Sequence, residues 1–563
     1  MKKQWWMEAV GYQIYPRSYK DTNGDGVGDL PGIIEKLDYI ADLGVNLIWI
    51  CPFYRSPMDD NGYDVSDFYD VDPLFGTLDD AKELIRQAHE RGIRVILDLV
   101  MNQTSDEHPW FVESKSSLDN PKRDWYIWRD GKKDKKGNLI PPNNWASFFE
   151  GSCWNFDEHT GQYYMKIFSN KMPDLNWENP ELRKAMADMA TWWLDLGVDG
   201  FRVDAIAHLA KDTTFKDSTM KVEPGHYAPD WRKFSNRDRL FDYLAQFHEE
   251  VLTHYDCVTV GEVGGGAQVE EAERYAGFDT KGFNMVFNFD HCWKNGAFGD
   301  EGRTVGKLTT DVIDLKKTFE RWILGSEGKV WMPQYWLNHD HPRVVSQYGD
   351  TGIYHRVSAQ MLGAVLLTLP GTPFIYNGEE IGMTNVDYES VEDFNDVWVR
   401  NYVPSARKRI SEERILTHLR RASRDNARTP MQWDDSENAG FTTGKPHLKV
   451  VGNYKSINVK KQQSEDNSVL SMYKRLIQLR LRSDLKDVLI YGSFALVEEN
   501  HPDVFAYRRF DDKNEVMVIA NFRDYPVEFD LDYDRYDCVC CNVESVGSKF
   551  QPYEFRILRA KGV

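Results

Sequence analysis

The chain has no apolar run that could cross a bilayer. The best stretch, Met361 to Leu369, is far shorter than the roughly twenty residues required and reads as a core helix. The opening segment Met1-Lys2-Lys3-Gln4-Trp5-Trp6-Met7-Glu8 has positive charge but neither an apolar stretch nor a cleavage site, so it does not read as a signal peptide. Cysteine is scarce: seven in 563 residues, at positions 51, 153, 257, 292, 538, 540 and 541. Cys538-Val539-Cys540-Cys541 has no second cluster to complete a zinc site, and the odd number fits reduced thiols and a cytoplasmic protein. Positive charge is also in deficit. Against 89 acidic residues stand 69 Lys and Arg, a net charge of −20, which excludes nucleic acid and anionic membranes as partners. A neutral substrate and a monomeric protein are the expectation.

Length and aromatic content are in ample supply. The chain is too long for one ordinary domain and suits a large barrel with one or two smaller domains. Trp, Tyr and Phe make up 13% of it, most of them core fillers, with a surplus of the kind sugar sites use for stacking. Strand and helix signals alternate from the start. Ala9 to Tyr15 and Val45 to Ile50 read as strands around an amphipathic segment, Ile33 to Leu43. A helix from Thr77 to Arg91 follows, capped by Thr77 and ended by Gly92, and then strand Ile93 to Leu97.

The rhythm breaks in a Trp-, Asn- and Pro-rich stretch whose Lys132 to Gly137 looks like a hairpin tip. It resumes with helix Glu181 to Leu196 and strand Val198 to Val203. Further strands read at Cys257 to Gly261, Met285 to Phe289, Val330 to Leu337 and Thr372 to Tyr376, completing eight. The expected fold is α/β: a (β/α)8 TIM barrel with an inserted small domain after strand 3 and a C-terminal antiparallel β domain. The boundaries read as 1–103 for the first part of the barrel, 104–173 for the insertion and 174–483 for the rest of the barrel. A cap at about 382–461 lies within that last part, and helix Ser468 to Leu481 closes the barrel. The β domain covers 484–563, with strands at Leu489 to Val497, Val504 to Phe510, Glu515 to Phe522 and Val527 to Leu531.

Three barrel strands or their loops deliver a carboxylate to one end: Gly200-Phe201-Arg202-Val203-Asp204, Val260-Gly261-Glu262 and Leu337-Asn338-His339-Asp340. Cleaving an acetal needs an acid together with a nucleophile or base, so three such acids point to a glycosidase. Arg202 shares a strand face with Asp204 and should keep it ionised, as a nucleophile requires. Glu262, in a more enclosed and negative place, should have a raised pKa and act as acid/base.

Six ordered blocks carry a resemblance: Tyr12 to Ser18, Asp98 to Gln103, Gly200 to Asp204, Gly261-Glu262, Asn338 to Asp340 and Gly371 to Glu379. They resemble the signature blocks of the α-amylase family, glycoside hydrolase family 13. Asp59 to Asp64 and Ser423 to Asp434 resemble its oligo-1,6-glucosidase/α-glucosidase branch. The resemblance implies a retaining enzyme with Asp204 as nucleophile, Glu262 as acid/base and Asp340 as transition-state stabiliser. It implies that Asp60, Tyr63, Arg202, His339 and Arg428 hold a terminal glucose and that Phe149 and Phe168 line its pocket. Such a closed pocket means exo action on a small oligosaccharide. No organic cofactor is implied. The loop Asp21-Thr22-Asn23-Gly24-Asp25-Gly26-Val27-Gly28-Asp29 resembles a structural Ca²⁺ site, with Asp21, Asn23, Asp25, Val27 and Asp29 as ligands; its oxygen donors alternate as in an EF-hand loop, without the bidentate Glu at position twelve.

Three positions depart from the branch. Gln103 stands where a His that bonds the bound glucose is usual. Ala205, after the expected nucleophile, is neither the Val that accompanies α-1,6 specificity nor the Thr that accompanies α-1,4, which leaves linkage open and broad use the working expectation. Met172 replaces a usual Gln. Sucrose isomerases and trehalose-6-phosphate hydrolases of the same branch are the alternatives. Phe319 to Gly325 lacks the Arg density of the isomerases, and a phosphorylated substrate would need a cationic aglycone pocket. A catalytically silent, membrane-anchored relative would have lost the acids that this chain keeps.

Overall fold

A computed structural model describes residues 2–149, 151–292, 294–295, 309–545 and 547–562. Among these, eight strands form one parallel sheet: β1 (Gly11–Ile14), β2 (Leu47–Ile50), β3 (Arg94–Val100), β4 (Gly200–Asp204), β5 (Val258–Glu262), β6 (Met285–Phe287), β7 (Pro333–Tyr335) and β8 (Thr372–Tyr376). Their order is β6-β5-β4-β3-β2-β1-β8-β7, the chain order of a (β/α)8 barrel opened at one seam. Across the seam Phe287 and Tyr335 pack edge to face at 4.9 Å, and Tyr335 Oη donates to Asn288 O at 2.5 Å. β2 and β8 are buried along their whole length, as strands covered on both faces must be.

Caps place the surrounding helices. Thr77 and Asp80 close a reciprocal capping box on Leu78–Glu90, Asn179 caps Pro180–Asp195, and Ser468 caps Val469–Arg482. The amphipathic segment Ile33 to Leu43 falls on two helices, Leu30–Glu35 and Leu37–Leu43, broken at Lys36, whose backbone leaves the helical region (φ −98°, ψ 5°).

After β3 the chain builds a three-stranded sheet (Trp128–Arg129, Gln162–Met165, Trp154–Asp157) and a hairpin of Lys132–Lys133 with Leu139–Ile140. After β8, helices Val397–Ala406 and Glu412–Ala422 enclose an apolar cluster that includes Tyr388, Trp398, Tyr402 and Leu419. Phe149 of the first insertion packs on that cluster, and Asn401 Nδ2 donates to Phe149 O at 3.4 Å. The two insertions therefore meet over the barrel end where β4 and β5 finish.

The C-terminal sheet is antiparallel, in the order β9 (Ser493–Val497), β10 (Val504–Phe510), β11 (Glu515–Asn521), β13 (Phe555–Ala560), β12 (Tyr536–Cys541). Leu489 to Tyr491, read as strand, belongs to a helix, Lys486–Tyr491. Its short apolar run fits a buried helix as well as a strand, and the carbonyl of Leu489 is claimed by Arg509 Nη1 at 2.6 Å. Buried Arg480 and Arg509 also take the carbonyls of Leu367, Thr368 and Leu369 at 2.9 Å each, fastening sheet to barrel at a helix C-terminus. All seven cysteines are free, and among the described residues no helix is long and apolar enough to cross a membrane.

Candidate active site

Parallel register assembles the first half of the site. Arg202 on β4 stands level with Asp98 on β3, and Val203 with Gly261 on β5, so Asp204 and Glu262 come abreast at the strand ends. Arg202, 1% exposed, reaches all three acids. Its Nη1 donates to Asp98 Oδ1 at 2.5 Å and to Asp204 Oδ1 at 2.8 Å, and its Nη2 donates to Glu262 Oε2. Trp49 Nε1 at 2.8 Å and Tyr63 Oη at 3.2 Å donate to the other oxygen of Asp98.

One cation for three acids, two of them buried, has an electrostatic consequence. Burial pushes the Asp204 carboxyl well above the usual range; Arg202 opposes this, while neighbouring Glu262 and Asp98 add to it. The expectation that Arg202 holds Asp204 ionised is corrected to that extent: the cation pulls in the expected direction, but burial outweighs it. The Asp204 and Glu262 carboxyls are held together by the one guanidinium, which donates to each of them. Ala205 then turns the chain with φ +48°, a left-handed conformation that a β-branched residue adopts only at a cost, and its N–H donates to Glu262 Oε2 at 3.4 Å.

The second half surrounds Asp340. Arg428 donates through Nη2 to Asp340 Oδ1 at 2.6 Å and through Nε to His339 O at 2.9 Å. Arg424 reaches Asp340 Oδ1 at 3.3 Å and Asp60 Oδ1 at 2.9 Å, and holds Asp396 with two nitrogens. Burial alone raises the Asp340 carboxyl; the permanent cations Arg424 and Arg428 overcome it and hold the group well below the carboxylate range. Burial keeps His339 uncharged. Its ring lies stacked against Tyr63, 5.2 Å between centroids, and Tyr15, at 5.9 Å. Gln13 Nε2 donates to its Nδ1 at 2.9 Å, so the ring proton sits on Nε2, 3.4 Å from Asp340 Oδ2.

The remaining expected residues lie around these. Phe149 and Phe168 are half-buried with centroids 5.6 Å apart, and the Arg424 guanidinium lies 5.2 Å from the Phe149 ring. Gln103 is fully buried behind Tyr63: its Nε2 donates to Tyr63 O at 3.4 Å, and its Oε1 accepts from Asn102 at 3.0 Å.

The Alpha amylase, catalytic domain model matches residues 13–492, and the Maltogenic Amylase, C-terminal domain model matches 494–557. The chain belongs to the α-amylase family of glycoside hydrolases. It is 44% identical to an oligo-1,6-glucosidase of Bacillus cereus, with 100% of each chain covered. Among solved structures it resembles a trehalose-6-phosphate hydrolase of Bacillus licheniformis (TM-score 0.90, 39% identity, 99% of this chain and 100% of the other). It also resembles an isomaltulose synthase of a Klebsiella species (TM-score 0.92, 36% identity, 100% of each).

Within the family frame, sequence reasoning missed Asp98, Arg424 and Asp396. Asp98 was legible: it opens a block that β3 ends in, level with Arg202. Arg424 sits four residues before Arg428, the spacing that puts two side chains on one helical face. Asp396 lies in the irregular cap and had no such signal.

The Asp21–Asp29 loop is folded as successive Asx turns. Asn23 N donates to Asp21 Oδ1, Asp25 N to Asn23 Oδ1 and Val27 N to Asp25 Oδ1, each at 2.9 Å. Buried Asp21 also accepts from Gly24 N and Gly26 N at 2.8 Å and from Thr442 Oγ1. Asp29 caps helix Leu30–Glu35 through Gly32 N at 2.7 Å and accepts from Thr22. Among the described residues, no group of three or more His, Cys, Asp or Glu converges as a metal site. The donors are nonetheless hard oxygens on one loop, the kind Ca²⁺ takes.

Proposed function

We propose that the chain is a retaining, exo-acting α-glucosidase that releases glucose from the non-reducing end of short α-glucans, isomalto-oligosaccharides first and malto-oligosaccharides second. The observation that carries this is that Asp204 and Glu262 bind the two terminal nitrogens of one guanidinium, that of Arg202. An inverting pair needs room for a water between its carboxyls, whereas a retaining pair stands only about 5–5.5 Å apart. Glu262 protonates the glycosidic oxygen as Asp204 attacks the anomeric carbon. Water, deprotonated by Glu262, then releases the glucosyl group from Asp204. The proton on the Asp204–Glu262 pair must therefore sit on Glu262 at attack, with Asp204 ionised against Arg202 Nη1. Asp340, held ionised by two arginines, stabilises positive charge on the ring in the transition state. Asp60, Tyr63, His339 and Arg428 bind the terminal glucose, with Gln103 behind Tyr63 and with Phe149 and Phe168 as apolar walls. The small Ala205 side chain supports use of more than one linkage. A monomer in the cytoplasm fits the acidity and the free thiols.

Glucose release from isomaltose, panose, maltose, sucrose and trehalose-6-phosphate is the test. Isomaltose and panose are expected to be turned over fastest, with maltose within a hundredfold. Preference for trehalose-6-phosphate, or rearrangement of sucrose without glucose release, would replace this reading with one of the activities named for the solved relatives.

The same reading gives the Asp21–Asp29 loop a structural Ca²⁺, held by Asp21, Asn23, Asp25, the Val27 carbonyl and Asp29. Bracing the loop after β1, the ion adds stability and takes no part in catalysis. Chelation is expected to lower the melting temperature by roughly 3 °C, restored by Ca²⁺ and not by Mg²⁺, since binding to the folded state alone stabilises it. An unchanged melting curve would remove the ion from the assignment.

A further inference from the structure

A cavity of about 710 Å³ opens at the other end of the barrel from the carboxylates. Its walls include residues that precede strands: Asn284 before β6, Met332 before β7 and Gly371 before β8. Asp204 and Glu262 end their strands and Asp340 follows β7, so the two pockets lie on opposite faces of the barrel. Barrel active sites occupy the C-terminal face; this cavity is no part of one.

Two amides there have hydrogen-bonding capacity to spare. Gln334 on β7 is 7% exposed, and its side chain makes no hydrogen bond among the described residues. Its Nε2 lies at the cavity wall, 3.6 Å from where a Cβ on Gly371 would stand. Gly371 itself has φ +96° and abuts Met332 O, so a side chain there would be strained and obstructed, and the space stays open. Asn284 spends Oδ1 on Thr259, at 2.8 Å to N and 3.1 Å to Oγ1, and its Nδ2 has no partner among the described residues. The cavity also has aromatic walls: Phe283, Trp331 and Phe494 are buried, and Phe278 is 40% exposed. Its Asp and Glu side chains, Asp279 and Glu327, outnumber its one lysine, Lys2, a balance that disfavours anions.

We propose that this cavity is a second carbohydrate site, which holds a neutral glucose or gluco-disaccharide without cleaving it. The apolar face of a sugar ring lies on the aromatic wall, and its hydroxyls bond the Gln334 and Asn284 amides. An apolar ligand would leave both amides unmet, and an anion would face Asp279 and Glu327. The volume lies within the roughly 300–1,000 Å³ of small-molecule sites. The choice of sugar rests on the glucosidase reading above.

Isomaltose titrated calorimetrically into the full-length Asp204→Asn protein tests this. Two sites are expected. Gln334→Leu and, separately, Phe278→Ala at the exposed wall should weaken one site at least tenfold and leave the other intact. Placed in the active enzyme, the same substitutions should leave kcat/KM on isomaltose within twofold. Gln334→Glu, of equal size, guards against misfolding: it should keep the melting temperature and still weaken the second site. A single site, or two sites indifferent to all three substitutions, overturns the proposal. A wild-type protein that releases no glucose while two glucose sites titrate would reject the glucosidase reading and leave this one standing.

Discussion

Asp204→Asn is expected to lower kcat/KM on isomaltose by on the order of 10⁴- to 10⁶-fold while the protein stays folded. Both halves of that statement follow from the geometry. Asn removes the attacking oxyanion, and nothing else near Arg202 can supply it: Asp98 is fully buried and held by Trp49, Tyr63 and Arg202, and Glu262 is needed as the acid. Folding survives because burial already pushes the Asp204 carboxyl toward its neutral form, and Asn is a neutral isostere. Arg202 keeps two carboxylate partners. Kinetics and a melting curve check the two halves. A sharper readout is rescue of Asp204→Ala by azide on a substrate with a good leaving group, because azide enters from the vacated face and yields a glucosyl azide of inverted configuration. Retention of more than a hundredth of the activity in Asp204→Asn would remove Asp204 from the chemistry.

What the sequence made legible is what depends on local order. Barrel strands are covered on both faces, so β2 stands out as an uninterrupted apolar run and β3, β4 and β8 as short, mainly apolar ones bounded by turns. Acids at their ends stand out for the same reason, and parallel register turns two strand ends into one site. Asp204 and Glu262 therefore needed no long-range information. The Asp60–Arg424–Asp396 network did. It joins the loop after β2, the irregular cap and the short helix Asp425–Arg428, segments far apart in the chain and without periodicity. The pKa of Asp204 was missed for a related reason: the sequence shows Arg202 two residues away but hides how deeply both are buried. Leu489 to Tyr491 was ambiguous because a three-residue apolar run satisfies either period, and only the carbonyl-binding Arg509, brought in by the C-terminal sheet, decides it.

Arg424→Ala is expected to destabilise the protein by about 3–5 kcal/mol and to abolish glucose release, and the two effects have separate origins. Stability is lost at Asp396, which has no exposure. Burial by itself raises that carboxyl, and Arg424 outweighs it by charge and two hydrogen bonds. Without Arg424 the acid keeps, among the described residues, Arg428 at 3.8 Å and the N–H of Trp398 at 3.4 Å. Activity is lost at Asp60 and Asp340, which Arg424 fixes across the mouth of the site while its guanidinium lies against Phe149. The double substitution Arg424→Ala, Asp396→Asn separates the two. It removes the uncompensated buried charge, so most of the stability should return in a urea titration, while Asp60 stays unheld and kcat/KM stays at least 10³-fold down, on the order expected when positioning groups in a closed site are lost. If the double variant recovered activity along with stability, Arg424 would be a structural cation and Asp60 would owe its position to the backbone N–H of Asp60 bonded to Asp64 Oδ1 at 3.0 Å instead.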